Sequence, residues 1–165
     1  MWFFSIILAI LAALVQSTIV PSLSVYGGSV NIILVILLVL LFYGHIRHTG
    51  IFLVVSTIIL SIISGIQLIY LILPFFVLSA IYLFLSNRRI ISRPNTIVSL
   101  FIFLIASVFV NLVFILEIHN FSLRLILPIL SSAILNMLIG GFIYYFCNKA
   151  YFLLNPQISR EKVRI

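Results

Sequence analysis

The chain has 165 residues and a net charge of +7, yet 65% of its residues are hydrophobic and only 7% are charged. Soluble domains are roughly a quarter charged, so this chain cannot clothe a water-exposed surface and reads as an integral membrane protein. The same proportions exclude disordered and fibrous classes, and the single cysteine, Cys147, excludes an intrachain disulfide or a cysteine metal cluster.

A bilayer core about 30 Å thick needs roughly 20 helical residues. In chain order, the first apolar run covers 2–20 and ends at Pro21. No Lys or Arg precedes it and no small-residue cleavage site follows it, so it reads as a retained helix and not a signal peptide. Gly27 and Gly28 mark a turn before the second run, 30–43, and residues 44–50 mark another.

The block 51–85 then lacks any charged side chain. As one helix it would be about 52 Å long, at 1.5 Å per residue, which overshoots the membrane. Ser64-Gly65 offers a turn that divides it into a short third run, 51–63, and a fourth, 66–85. The third is short enough to be tilted, re-entrant or shielded by neighbours. A fifth run, 96–116, follows the arginine-rich SNRRIISRPN, and a sixth covers 123–146. Pro74 and Pro128 are expected to kink the fourth and sixth helices. Tyr144, Tyr145, Tyr151 and Phe152 cluster where the sixth should leave the membrane, as an interfacial belt does.

Charge checks the count. With six spans, Arg47, Arg88, Arg89, Arg93, Lys149, Arg160, Lys162 and Arg164 share one side, and only Arg124 lies opposite, beside Glu117. That asymmetry is what the positive-inside rule expects of cytoplasmic segments; five spans would split the set. The expected fold is therefore an all-α bundle of about six transmembrane helices, third span short, with both termini cytoplasmic. It forms a single polytopic domain, 1–165, ending in a short basic cytoplasmic tail, 155–165. Arg47, Arg88, Arg89, Arg93 and Lys149 are its topology anchors, and anionic membrane lipids are their partners. Nucleic acid is not an expected partner, because the cations sit in linkers and not on one surface.

The chemical inventory is sparse. Glu117 and Glu161 are the only acids and lie far apart in sequence, so no carboxylate pair shares acid–base work. His45 and His48 flank Arg47 in one loop without a carboxylate or cysteine to complete a metal set. His119, Glu117 and Arg124 share the opposite loop and read as solvated. No enzymatic activity, cofactor or metal is expected. The middle of every run is free of ionisable groups, which argues against an ion-driven pump.

The runs do contain uncharged polar residues: Gln16, Asn31, Gln67, Asn111 and Asn136. Ser132, Asn136 and Gly140 recur every fourth residue and so line one stripe of the sixth helix, beside Ala133, Met137 and Gly141. Small residues let helices approach closely, and an amide can bond across the gap for about 0.6–2 kcal/mol. Helix–helix packing is the plain reading of this stripe; ligand or partner contact is the other. Ala9 and Ala13 on the first helix admit the same two readings.

The order of these features resembles the family of the bacterial rod shape-determining protein MreD. LVQSTIVPSL is similar to that family's Gln-Ser ending of the first helix ahead of a proline. GSVNIILVILLVLLFYG resembles the stretch where a Pro-Asp commonly precedes a Leu/Val-rich second helix; Val30 and Asn31 stand in those places here. GIFLVVSTIILSIISGIQL resembles a Gly-rich third helix, with Ser61 where an Asp commonly precedes the Ser-Gly turn. SSAILNMLIGGFIYYF resembles the last helix. The resemblance implies a non-enzymatic, multi-pass scaffold of the bacterial inner membrane, in the cell-elongation machinery that shapes the rod and directs peptidoglycan synthesis. It also implies binding to MreC and, through the complex, to MreB, RodA and a penicillin-binding transpeptidase. An alternative of a different class is the substrate-binding subunit of an energy-coupling-factor vitamin transporter. Such subunits have a similar length and helix number and dock through small residues spaced like Ala9 and Ala13.

Overall fold

The computed structural model describes residues 2–87, 94–118 and 125–154. The described residues form six α-helices: α1 Trp2–Thr18, α2 Ile32–Phe42, α3 Ile46–Ser64, α4 Leu68–Asn87, α5 Thr96–Ile118 and α6 Ile126–Leu154. All but α2 are long and apolar enough to cross a membrane, so the chain is a multi-pass, all-α membrane-type bundle. Large apolar side chains such as Phe3, Phe76, Phe101 and Phe142 are exposed on its flanks. On a water-soluble protein such faces would be unstable; in lipid they are in their own solvent.

The short helix is the second, not the third. Residues 44–50 do not all form a turn: only Gly44 takes the left-handed conformation, φ +72°. From Ile46 the chain is already helical, and Thr49 bonds the His45 carbonyl through both its N–H, 2.9 Å, and its hydroxyl, 3.0 Å. Arg47 and His48 fit a first turn at the bundle's end, where their polar groups reach water, and an interior Gly50 costs only about 1 kcal/mol. With those residues included, α3 has 19 residues. It stops at Gly65, φ +70°, whose N–H bonds Ser61 O at 2.9 Å.

Helix α6 runs past Phe146 to Leu154 because no proline or glycine interrupts 142–154. Pro128 is its third residue, so it occupies the first turn, where a missing N–H costs nothing. It starts the helix and does not kink it. Pro74 lies inside α4, which continues through it.

Contacts fix which helix ends share a side. Ser5 near the start of α1 meets His48 at the start of α3. Phe42, the last residue of α2, packs edge-on against Tyr144 of α6 and tilted against Tyr82 of α4. The Tyr144 hydroxyl donates to the Pro94 carbonyl, just before α5, at 2.6 Å, and Tyr43 stacks near Tyr151. The first turn of α1 and the last turns of α6 therefore lie at one end of the bundle, together with the exposed Arg47 and Lys149. Arg88, Arg89, Arg93, His119, Arg124 and the tail 155–165 lie outside the described residues.

This grouping predicts the outcome of single-cysteine labelling in a Cys147→Ser background. A membrane-impermeant maleimide should reach Arg47→Cys and Lys149→Cys from one face and the exposed Ser24→Cys only from the other. Reaction of all three from the same face would contradict the arrangement.

Candidate functional site

Helix α2 is short because the chain ahead of it is extended. After α1 and a 3₁₀ turn, Val20–Leu23, residues Val25 to Gly28 close a tight hairpin with reciprocal bonds of 2.8 and 2.9 Å. Its two central residues, Tyr26 and Gly27, have φ of +50° and +78°, as a two-residue hairpin turn demands. Glycine at 27 supplies this conformation readily; Tyr26 adopts it at a cost. Gly28 is then pressed on α6: a Cβ there would sit 2.5 Å from Ser132 N and 2.6 Å from Pro128 O.

Residues Ser29 to Asn31 thereby enter the bundle as bare backbone. Such backbone is tolerated at membrane depth only where protein satisfies its polar groups, and here side chains do so one by one. The Ser132 hydroxyl donates to Ser29 O at 2.7 Å. The Gln16 amide brackets the next two peptides, donating to Val30 O at 3.1 Å and accepting from Ile32 N at 2.7 Å. Asn136 Oδ1 accepts from Asn31 N at 2.6 Å. Asn31 caps the helix through its own Oδ1, which accepts from Leu34 N at 2.9 Å. The carboxamides of Gln16 and Asn136 thus replace the strand that an extended segment would otherwise pair with.

A further layer orients Asn136. Its Nδ2 donates to Ser107 Oγ at 2.7 Å, and Asn111 Nδ2 reaches both Ser107 Oγ and Ser132 Oγ at 3.3 Å. Asn136, Ser107 and Ser132 are buried. Ser107 is the middle residue of α5, whereas Gln16 is close to the end of α1 and Asn31 caps the start of α2, so the cluster reaches from the bundle's middle toward the end opposite Arg47 and Lys149. Its groups are amides and hydroxyls that stay uncharged at neutral pH; what they can do is hold, orient and select by hydrogen bonding.

Gln16, Asn31, Ser132 and Asn136 are thus brought together in one cluster. Gly140 lies one turn beyond, where a Cβ would meet the Phe103 ring of α5 at 2.6 Å, so its absence permits the α5–α6 contact. Ala9 and Ala13 are fully buried on α1, whose principal neighbour is α3. Ser5 and Ser107 carry no signal in the sequence, because a serine in an apolar helix usually bonds its own preceding carbonyls; Ser29 takes part through its backbone carbonyl, which any residue would supply. Among the described residues, no three His, Cys, Asp or Glu side chains gather to hold a metal. No family model, curated protein or solved structure matches the chain.

The bonding scheme ranks substitutions. Gln16→Leu orphans two backbone groups, Asn136→Leu one, and Asn111→Leu none, each orphan costing about 1–3 kcal/mol. Thermal unfolding in detergent should fall in that order, Gln16→Leu first. Equal effects of all three would refute the scheme. Gly28→Ala should lower stability by about 1–3 kcal/mol, because besides the Ser131 hydroxyl a Cβ there meets Ser132 N and Pro128 O, which are backbone and cannot yield.

Proposed function

We propose that this protein is a non-enzymatic scaffold subunit of the bacterial cell-elongation complex, resident in the inner membrane with both termini and the cationic end in the cytoplasm. One observation carries this reading. Three of the stretches that resemble the MreD family contribute Gln16, Asn31, Ser132 and Asn136, and these converge on a single cluster. Those three stretches, the outermost more than 100 positions apart, are thereby packed together as one unit, which supports the reading. The cluster's polar capacity is spent on the chain's own backbone, which suits a rigid body that binds through its outer faces. A bitopic MreC-type protein is the proposed direct partner, with MreB, RodA and a penicillin-binding transpeptidase reached through the complex.

The transporter-subunit reading receives less support. Its docking role needs Ala9 and Ala13 available to a partner, and both are covered within the bundle. Depleting the protein in its host should round or widen the cells within a few generations and scatter the sites of wall synthesis, as seen by imaging fluorescent D-amino acid incorporation. Unchanged shape and unchanged sites would exclude the role.

A further inference from the structure

At the cationic end, two cavities share a pair of walls. The first, about 360 Å³, is formed by the polar turn from Gly44 through Arg47 to His48. The second, about 380 Å³, lies between α1 and α2 and is lined by Phe4, Ser5, Leu8, Leu40, His45 and His48. His45 and His48 border both, with their rings edge-to-face at 5.9 Å. The second cavity is mostly apolar. It reaches the bundle surface beside Phe4, which is 70% exposed. A polar, cationic turn therefore borders an apolar cleft lined by α1, with His45 and His48 common to both.

That shape and polarity match an amphiphile, and the charge selects its sign. Arg47 is exposed on that turn. The His48 Nδ1 is held 2.8 Å from Ser5 Oγ, which leaves its Nε2 for a ligand. The sequence contains only two acids. Glu117 is near the opposite end of α5, and Glu161 lies outside the described residues. We infer that this cleft binds an anionic glycerophospholipid, its phosphate at Arg47, His45 and His48 and one acyl chain against Phe4, Leu8 and Leu40. Basic pockets between helices on the cytoplasmic side are suited to such headgroups, and guanidinium pairs with phosphate bidentately. The apolar cleft is what distinguishes this occupant from free phosphate. The inference is independent of the scaffold reading.

The test uses the full-length protein, delipidated and then offered phosphatidylglycerol or phosphatidylcholine with identical acyl chains, with bound lipid counted by native mass spectrometry. One phosphatidylglycerol should be retained at least fivefold better than phosphatidylcholine. Arg47→Gln, an exposed change that leaves the core intact, should abolish that preference. Lys149→Gln, at the other described cation of this end, should leave it unchanged, and millimolar inorganic phosphate should not displace the lipid. Equal retention of the two lipids would overturn the proposal. So would equal losses in the two variants, which would mean diffuse surface charge, or displacement by phosphate, which would mean a simple anion site.

Discussion

The structure depends on feeding three residues of extended chain, Ser29 to Asn31, into an apolar interior without leaving their peptide groups bare. An unsatisfied N–H or C=O in that interior costs about 1–3 kcal/mol, more than the roughly 0.6 kcal/mol of an average interhelical hydrogen bond. The fold is therefore organised around avoiding that cost. Gln16 from α1 and Asn136 and Ser132 from α6 meet the segment from two sides, and Gly28 lets it lie flat on α6. Once these groups are in place, α2 has one starting point and one direction, and its apolar surface fills the centre: Ile33, Leu34, Val35, Leu37 and Leu38 are almost fully buried. A helix so short could not span a bilayer alone, but enclosed by its neighbours it has no need to.

The network acts more on specificity than on total stability. Apolar packing between helices is weakly directional in a membrane, because lipid tails are as apolar as Leu or Ile. A Leu/Ile/Val helix such as α2 could slide by one turn, about 5.4 Å, and find similar contacts. Such a slip would carry Asn31 away from Asn136 and put apolar side chains opposite the carboxamides. The amides therefore set depth and register, and the apolar residues supply bulk. Small residues play the complementary part elsewhere, with Gly140 admitting Phe103 and Gly141 admitting Leu100.

This division explains what was legible in the sequence. Composition and run length are enough for a six-helix membrane bundle, since no other solvent would tolerate these side chains. Gln16, Asn31 and Asn136 stand out because an amide in an apolar run must find a partner. The identity of that partner was hidden: it is backbone, and it becomes needy only because α2 begins late. Run length misled in the same place. Residues 30–43 read as an ordinary apolar run, whereas the turn expected at 44–50, which contains Arg47, His48 and Gly50, leaves 51–63 short. A helix end at the bundle's edge accommodates all three, whereas extended backbone at the centre is invisible to hydropathy, because Ser29, Val30 and Asn31 look the same in either conformation. Pro128 misled for a related reason: a proline's effect depends on whether it falls in the first turn or the interior, and the start of α6 was not marked.

The central latch also determines the geometry of the cationic end. Helix α1 is tied at Gln16, and Ser5 lies eleven residues earlier; α2 is tied at Asn31, and Phe42 lies eleven residues later. At 1.5 Å per residue both arms are about 16 Å long, so two antiparallel rods leave one anchor and arrive at matching depth. Beyond Phe42 the chain turns at Gly44 into α3, and the first turn of α3 returns to α1 through His48 and Ser5. The loop closes as a frame, amide–backbone bonds at one corner and an imidazole–hydroxyl bond at the other, with the cleft of Phe4, Leu8 and Leu40 between its long sides. Because the rods are rigid and the first corner allows one register, the turn carrying His45 and Arg47 is set by hydrogen bonds made about 16 Å away. A charged turn at the end of an apolar bundle thus acquires a fixed shape, and shape is what separates a defined lipid site from cations scattered on a surface.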